Sequence, residues 1–326
     1  MHSHVSVGIV TWHPDALLER CLASVRAQDY PSVDLHVFDN ASSDEARARI
    51  AALTAPGECT WSPVNLGFSA GHNALIRRAH GPYYLCLNPD AVLAPGYLAA
   101  LVGALEAAPE AGSATGRLLR LDDDRVIDST GIVMTRDQRH LDRGGDEPAL
   151  DRYTAGPEPV FGPSGAVALY RRAMLDDIAF RGEVFDEAFF AYREDADLAW
   201  RAQWRGWSSL YVPNGIAWHR RRVTPSRRSA LPAEINRYSV RNRFLLRLKN
   251  QSAALAWHFA GPALARDLLV VGYVLGREWT SIPGLIDVLR LVPSTLAKRR
   301  HIQRRRAVSS AQMARWFEAG PDHRTG

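Results

Sequence analysis

Apolar and polar positions follow two different periods in the first ninety residues. Apolar residues occupy every second position over 5–9 and 33–37, which predicts two strands. They recur at helical spacing over 17–25 and 70–80, and residues 83–87 form the continuous apolar run of a buried strand. This alternation of strand and helix predicts an α/β fold with a mostly parallel central sheet and helices on its faces.

Polar residues come directly after three of these predicted strands. Thr11 ends the first strand, Asp39 ends the second, and Asn88-Pro89-Asp90 follows the third. In open α/β sheets, ligands bind beyond the carboxyl ends of the strands. We therefore expect Thr11, Asp39 and Asp90 to line one crevice.

The second half of the chain changes character twice. Residues 121–163 are irregular and rich in Asp, Gly and Pro, which predicts loops or a small antiparallel ribbon. Residues 234–248 have the pattern of a basic helix, and the apolar stretches after it are predicted to be helical. We place a boundary near residue 225, with a first domain over 1–225 and a helical C-terminal region over 226–326.

Composition is that of a folded protein, because 46% of the 326 residues are hydrophobic and 23% are charged. Cys21, Cys59 and Cys86 are far apart, which argues against a disulfide framework and a cysteine metal site and favours a reducing compartment. The first ten residues lack the basic and apolar regions of a secretory signal, and no apolar stretch is long enough for a confident membrane span. We expect a cytoplasmic protein.

The net charge of +5 is concentrated in arginine clusters at 220–222, 227–228 and 298–306. A membrane surface, a diphosphate or nucleic acid would each suit such clusters, and a solvated face is the alternative. Nucleic acid is disfavoured, because the arginines are not interleaved with aromatic residues. Apolar faces over 268–275 and 285–291 favour contact with an anionic membrane, unless they pack on the rest of the chain or on a second subunit.

Several well-known catalytic motifs are absent from the sequence. It has no G-x-G-x-x-G, no G-x-x-x-x-G-K-[ST], no G-x-S-x-G and no H-E-x-x-H. A dinucleotide oxidoreductase and a P-loop phosphohydrolase are therefore disfavoured. A divalent metal held by carboxylates is another way to bind a diphosphate, and Asn88 and Asp90 offer one amide oxygen and one carboxylate on a tight turn. A purely structural turn is the alternative.

Residues 185–198 place five carboxylates among four aromatic side chains. Apolar surroundings raise the pKa of a carboxylate, which favours a general base at Glu194-Asp195. The alternative is a helix N-terminus stabilised by its acidic residues, a role that suits Asp197. Further along, His219 begins a run of arginines that a metal-bound diphosphate would use as hydrogen-bond partners.

Taken in order, these motifs resemble the family-two inverting glycosyltransferases of the GT-A fold, and within them the rhamnosyltransferase-like branch. The resemblance covers roughly residues 5–250. It is carried by residues 5–12, 37–44, 65–73, 87–90, 185–201, 218–219 and 241–242.

The resemblance implies a donor site that binds a nucleoside-diphosphate sugar. Asp39 would accept a hydrogen bond from the nucleobase imide, with Thr11 beside it. Asn65 and Asn73 would contact the nucleotide sugar, and Arg220 would lie near the diphosphate.

The resemblance also implies a metal site and a catalytic base. Asp90 takes the metal-binding position of the family's D-x-D motif, and His219 matches a histidine that completes the metal shell in some relatives. Asp195 would be the general base, with Glu194 assisting. Asn88 replaces the first acidic residue of D-x-D, which implies weaker binding of Mg²⁺ or Mn²⁺.

The expected activity is transfer of a sugar, with inversion, to a saccharide or lipid-linked acceptor in cell-surface polysaccharide synthesis. The branch points to rhamnose from dTDP-rhamnose. The helical C-terminal region would bind the inner face of the plasma membrane or form a homo-oligomer. A sugar nucleotidyltransferase and a nucleotide-sugar-binding module without transfer activity are the alternatives.

Overall fold

The computed structural model describes residues 2–149, 152–221 and 232–318. The strands, in chain order, are β1 (Val5–Thr11), β2 (Val33–Asn40), β3 (Cys59–Ser62), β4 (Tyr83–Leu87), β5 (Ala91–Leu93), β6 (Ala111–Arg120), β7 (Ile127–Ser129), β8 (Ile132–Met134), β9 (His140–Asp142), β10 (Glu158–Val160), β11 (Val167–Arg171) and β12 (Ser208–His219). The helices are α1 (Leu17–Arg26), α2 (Asp44–Leu53), α3 (Gly67–Arg78), α4 (Tyr97–Ala107), α5 (Arg172–Ile178), α6 (Glu194–Trp204), α7 (Ala233–Asn250), α8 (Ala253–His258), α9 (Ala260–Gly276), α10 (Ile282–Arg304) and α11 (Ser310–Glu318).

One large sheet has the strand order β10-β12-β6-β11-β4-β1-β2-β3. Strands β3, β2, β1, β4, β6 and β12 point the same way along it, while β11 and β10 run opposite. The predicted mostly parallel α/β sheet is therefore confirmed. The antiparallel strand β11 lies between β4 and β6 and separates two parallel groups.

Helices cover both faces of the sheet, which explains why β1 is buried at every position. On one face, α1, α2 and α4 share a core with β1, β2 and β4. On the other face, apolar residues of α3, α5 and α6 pack on the same strands. The irregular region predicted at 121–163 contains the short strand β7, which pairs with β6, and the small antiparallel ribbon β8-β9.

The C-terminal region is helical, as predicted. A third core joins it to α6, because Trp200 and Trp204 pack with Leu245, Leu246 and Phe317 of the C-terminal helices. The predicted boundary at residue 225 lies outside the described residues, so the division into two domains stays a prediction. Among the helices that the structure describes, not one has the length and apolar character needed to cross a membrane.

Candidate active site

The carboxyl ends of three neighbouring strands form one row of residues. Thr11 of β1 is in register with Asp39 of β2, and Asp39 is in register with Trp61 of β3. Residues in register on parallel strands point to the same face of the sheet. On the other side of β1, strand β4 ends at Leu87 and continues directly into the Asn88–Asp90 turn.

Asp39 is completely covered at the end of β2. Its Oδ2 accepts a hydrogen bond from Arg47 Nε at 2.9 Å, and the backbone N–H of Ser42 lies 3.3 Å from both carboxylate oxygens. Arg47 in turn packs over the ring of Trp61, with 5.7 Å between the guanidinium carbon and the ring centroid. A contact between Asp39 and a nucleobase stays a prediction, and it requires one of these covering groups to move. Beside Asp39, Thr11 Oγ1 is buried with no hydrogen-bond partner in the described part of the chain.

The two asparagines predicted to contact the nucleotide sugar lie in different surroundings. Asn65 is exposed, and its Oδ1 caps the backbone N–H of Gly67 at 2.9 Å. Asn73 is buried, and its amide nitrogen donates to Phe185 O and Glu187 Oε1 while its oxygen accepts from the N–H groups of residues 184 and 185. The Asn73 amide therefore makes its hydrogen bonds within the chain. This arrangement connects α3 to residues 184–187 and leaves no amide hydrogen for a sugar.

His219 ends β12 next to the Asn88–Asp90 turn. Its Nε2 lies 3.5 Å from Asp90 Oδ1 and 3.5 Å from Asn88 Nδ2. Its Nδ1 lies 2.8 Å from Oδ2 of Asp128 in β7. Burial alone would lower the pKa of His219, but the hydrogen bonds to Asp128 and Asp90 outweigh burial and raise it to about 9. The structure thus brings together the two predicted metal ligands and Asn88.

Asp128 is a site residue that sequence reasoning missed. The signal was a carboxylate directly after the apolar residues 126–127, in a short strand where Asp is disfavoured. Asp128 also accepts a hydrogen bond from Arg221 Nε at 2.7 Å, and Arg221 donates to Asp142 at 2.6 Å.

Arg220, the predicted diphosphate contact, follows β12 and contacts the loop after β1. Its guanidinium pairs with Asp15, in the loop after β1, and its backbone N–H donates to Asp90 O at 3.1 Å. Both side chains of this ion pair are partly exposed. The last arginine of this cluster, Arg222, lies outside the described residues.

Asp90 and His219 supply two donors for a divalent metal. Within the described ranges, no group of three or more His, Cys, Asp or Glu side chains is placed to hold a metal ion. Mg²⁺ sites commonly take one or two protein carboxylates and complete the shell with substrate phosphates and water. A carboxylate on the far nitrogen of a metal-binding histidine is also usual, and Asp128 has that position. The residues present therefore fit a metal held jointly with a diphosphate.

Glu194 and Asp195 begin α6, the position that the structural alternative gave to the acidic pair, and their catalytic role stays a prediction. Asp195 Oδ2 accepts from Gly165 N at 3.0 Å and its Oδ1 accepts from Ala196 N at 2.7 Å. Burial raises the pKa of Asp195 above the ordinary carboxyl value, although these two N–H groups oppose the change. Burial and the neighbouring Asp195 raise the pKa of Glu194 well above its usual range, and Glu194 Oε2 is buried without a hydrogen-bond partner in the described chain.

A single dipeptide connects the acidic pair to the turn after β4. Gly165 donates to Asp195, and Ala166 O accepts from Asn88 N at 2.9 Å. The space at Gly165 is limited, because a Cβ there would lie 3.2 Å from the Cβ of Asp195. Asp195 and the Asn88–Asp90 turn therefore lie on either side of residues 165–166.

The chain ahead of the acidic pair has an unusual backbone. Phe190, Tyr192 and Arg193 all have positive φ angles, of 64°, 72° and 72°. Such conformations cost about 1–3 kcal/mol each in a non-glycine residue and persist only where neighbours enforce them. Asn242 of α7 does so, because its amide donates to the carbonyls of residues 189, 191 and 192 at 2.8–2.9 Å.

A buried network of ion pairs includes Asp186 and Asp197, which lie before and after this backbone segment. Lys249 of α7 lies 2.8 Å from both Asp186 Oδ2 and Asp197 Oδ2, and Arg201 also pairs with Asp197. Asp186 also forms an ion pair with a second lysine, Lys298 of α10, with 2.5 Å between Lys298 Nζ and Asp186 Oδ1. The network links Asp186, at the start of the aromatic segment 185–192, to helix α6 and to the C-terminal helices α7 and α10.

Residues 2–239 match the model of the glycosyltransferase like family 2. An N-acetylglucosaminyl-diphospho-decaprenol L-rhamnosyltransferase from Mycobacterium tuberculosis is 28% identical over an alignment of 302 positions, which covers 83% of this chain and 94% of that protein. This chain spans almost the full length of that relative.

Solved structures with a similar fold include that of GalNAc-T7 with UDP, GalNAc and Mn2+, with a TM-score of 0.57 and 12% identity over 84% of this chain and 57% of that chain. Residues 1–349 of S. aureus TarS in complex with UDP-GlcNAc give a TM-score of 0.53 and 16% identity, covering 95% of this chain and 91% of that chain. The predicted GT-A fold is confirmed by these likenesses, and the match over residues 2–239 confirms the predicted family. The chain belongs to the glycosyltransferase like family 2 and is a glycosyltransferase.

Proposed function

We propose that the protein transfers rhamnose from dTDP-rhamnose, with inversion, to a saccharide or lipid-linked acceptor. The observation that carries this proposal is the placement of Asp195, a half-buried carboxylate with a raised pKa, next to the Asn88–Asp90 turn through residues 165–166. The choice of sugar and acceptor is supported by the M. tuberculosis relative, whose name specifies L-rhamnose and a diphospho-decaprenol acceptor.

The chemistry is a single displacement at the anomeric carbon. An acceptor hydroxyl oxygen attacks this carbon from the face opposite the diphosphate, and Asp195 takes the hydroxyl proton as the new C–O bond forms. The bond to the diphosphate oxygen breaks and its electron pair leaves with the diphosphate, which inverts the configuration. A raised pKa makes Asp195 a stronger base than an ordinary carboxylate, and such a base contributes about 10²- to 10⁴-fold to the rate.

The departing diphosphate needs positive charge near the Asn88–Asp90 turn. Arg220 supplies it from the residue that follows β12. Asp90 and His219 would hold a divalent metal, Mg²⁺ or Mn²⁺, and when bound this metal neutralises charge on the diphosphate. Asn88 would contribute its amide oxygen in place of the carboxylate that most D-x-D motifs have.

Glu194 has a supporting role in the proposal. Its carboxyl is buried against Asp195 and lacks a partner for Oε2 among the described residues. Burial and the neighbouring Asp195 raise its pKa well above the usual range, which favours the protonated form of Glu194. The ionised form is favoured at Asp195, the residue with the two backbone N–H donors.

The test is the Asp195→Asn variant, assayed by initial rates of rhamnose transfer from dTDP-rhamnose to a polyprenyl-diphosphate-linked acceptor. We expect a loss of about 10²- to 10⁴-fold in kcat with unchanged affinity for dTDP. Asp176→Asn is the matched control, because Asp176 is an exposed carboxylate on α5. Near-normal transfer by Asp195→Asn would show that the base is another group.

We further propose that the C-terminal helices lie on an anionic membrane surface. Helix α9 buries only Ala263 and Val274, while Leu268 on α9 is 65% exposed and Leu289 on α10 is 72% exposed. Large apolar side chains exposed on a helix favour an interaction site. The exposed Arg277 lies just beyond α9 and the exposed Arg290 directly follows Leu289, which adds the charge that anionic lipids attract.

The basic run 298–306 contributes less to this surface than its charge suggests. Lys298 pairs with Asp186 and Glu183, and Arg305 pairs with Asp177, so both side chains are engaged within the chain. The apolar faces of α9 and α10, not this run, are the main membrane contact in the proposal.

Vesicle sedimentation of the full chain tests this placement. We expect binding to phosphatidylglycerol vesicles to fall at least about tenfold in the Leu268→Ser/Leu289→Ser variant, because each leucine inserted in lipid contributes up to about 1.5–3 kcal/mol. Val64→Ser, at an exposed apolar residue far from α9 in sequence, is the control. Two results would overturn the proposal. Wild-type protein that does not sediment with the vesicles would exclude the membrane contact. A dimer in sedimentation velocity that the double variant dissociates would favour a homo-oligomer instead.

A further inference from the structure

A β-bulge places Asp128 behind the crevice. Strand β7 pairs with β6 through Ser129 to Leu118 and through Ile127 to Leu119, so Asp128 is an extra residue between two adjacent pairings. Bulges of this kind re-aim a side chain and are frequent beside active sites. The carboxylate of Asp128 is completely buried.

Three cationic or titratable groups surround this carboxylate. His219 Nδ1 lies 2.8 Å from its Oδ2, while Arg221 Nε at 2.7 Å and Arg120 Nε at 3.1 Å face its Oδ1. The two guanidinium groups at Oδ1 compensate the charge of this buried carboxylate. A carboxylate accepts hydrogen bonds only, so the contact at Oδ2 places the proton on His219 Nδ1.

This hydrogen bond determines which nitrogen of His219 faces the crevice. With Nδ1 protonated and held by Asp128, the ring cannot rotate away, and Nε2 points towards Asp90 and Asn88. The nitrogen that a histidine offers to a ligand is set by the hydrogen bond at the other nitrogen.

We propose that Asp128 is a positioning residue for diphosphate and metal binding, acting through the orientation and tautomer of His219. The inference rests on the proposed function, because it takes the Asp90–His219 side of the crevice as the diphosphate site. Asp128 contacts neither donor nor acceptor, and its effect passes through the imidazole.

The first measurement needs no variant. Long-range ¹H–¹⁵N spectra of ¹⁵N-histidine-labelled protein report which ring nitrogen is protonated, and His219→Gln identifies the resonance. We expect a proton on Nδ1 of His219, both in the free protein and with Mg²⁺ and dTDP. A neutral ring protonated at Nε2 alone would overturn the proposal.

The second measurement is binding of Mn²⁺, followed by its free EPR signal in the presence of dTDP. An Asn amide at position 128 can donate to Nδ1 and move the proton to Nε2, so we expect Asp128→Asn to weaken binding about 10- to 100-fold. The control is Asp142→Asn, which breaks an ion pair with Arg221 at 2.6 Å without touching His219. Equal losses in the two variants would assign Asp128 a structural role alone.

A double-mutant cycle separates positioning from folding. If Asp128 acts through His219, then Asp128→Asn adds no further loss of Mn²⁺ or dTDP binding in the His219→Gln background. Additive losses would contradict the proposal. Failure of the wild type to bind dTDP with or without Mn²⁺ would instead refute the proposed function, so the two failures are distinguishable.

Discussion

Lys249 is the residue whose removal most directly tests how the C-terminal helices support the active site. Its ammonium is almost completely buried and lies 2.8 Å from one carboxylate oxygen each of Asp186 and Asp197. These carboxylates flank the aromatic segment and the acidic pair. Lys249→Met keeps an unbranched side chain that is one atom shorter and removes the ammonium with its charge and hydrogen bonds.

The expected loss follows from which partners remain. Removing one member of a buried ion pair costs about 3–5 kcal/mol, because the other charge stays buried. Here Asp186 keeps Lys298, and Asp197 keeps Arg201, so we expect about 3 kcal/mol. For 326 residues, at about 2.1 cal/mol/K of unfolding entropy per residue, this corresponds to a Tm lower by about 4 °C.

Scanning calorimetry at pH 7 measures the change, with the chain's other lysine as a graded comparison. Lys298→Met removes a partner of Asp186 and of the partly exposed Glu183 and leaves Asp197 with all its partners. Lys298 is also more exposed than Lys249, so we expect about half the loss. A change in Tm below about 1 °C for Lys249→Met, or a larger change for Lys298→Met, would refute the reasoning.

The effect of pH has a definite sign. Burial opposes ionisation of Asp186 and Asp197, but Lys249 and the other cations outweigh it and lower both pKa values. The network therefore stabilises the fold above the ordinary carboxyl pKa of about 4, and this contribution is lost as the pH falls towards the lowered values. The Tm difference between wild type and Lys249→Met should shrink between about pH 5 and pH 3.

Three further variants test the acidic pair and the loop before it. Glu194→Gln should keep most of the initial transfer rate at neutral pH, because the raised pKa of Glu194 favours a neutral carboxyl, which Gln resembles; a loss as large as that of a missing base would contradict this. Gly67→Ala should lower the free energy of unfolding, measured by chemical denaturation, more than Gly57→Ala does. Both glycines have a positive φ, of 81° and 88°, but only at Gly67 would a Cβ lie 2.6 Å from Phe190. Equal losses would show that the approach of Phe190 is unimportant. Asn242→Ala should lower kcat at least about tenfold, because the carbonyls of the positive-φ loop lose their donor; unchanged kcat would show that the loop holds its shape alone.

Much of the fold was readable because its signals are local. Apolar periodicity located the first strands and helices and the C-terminal helices, since burial on one face or both imposes a period on neighbouring residues. The acidic pair at the start of α6 was readable for the same reason, because both carboxylates and their aromatic neighbours lie within one short segment. The sequence also indicated the apolar faces of the C-terminal helices, but it did not indicate whether other parts of the chain cover them.

Contacts between distant parts of the chain were not readable. Asn73 has the same local signal whether it binds a ligand or the backbone of residues 184–185, and only the packing of α3 decides between them. The sequence placed Lys298 in a basic run, whereas in the structure α10 brings Lys298 into an ion pair with Asp186. Each such contact depends on loop closure over about a hundred residues, which leaves no periodicity in the sequence.

The sequence by itself determined the α/β alternation, the family and the residue types at the ends of the strands, because these are properties of short segments. Only the tertiary structure decided that Asp128 lies against His219, that residues 165–166 join Asp195 to the Asn88–Asp90 turn, and that α9 stays exposed. The physical reason is that hydrogen bonding and burial act between whatever surfaces the fold brings together, at any separation along the chain.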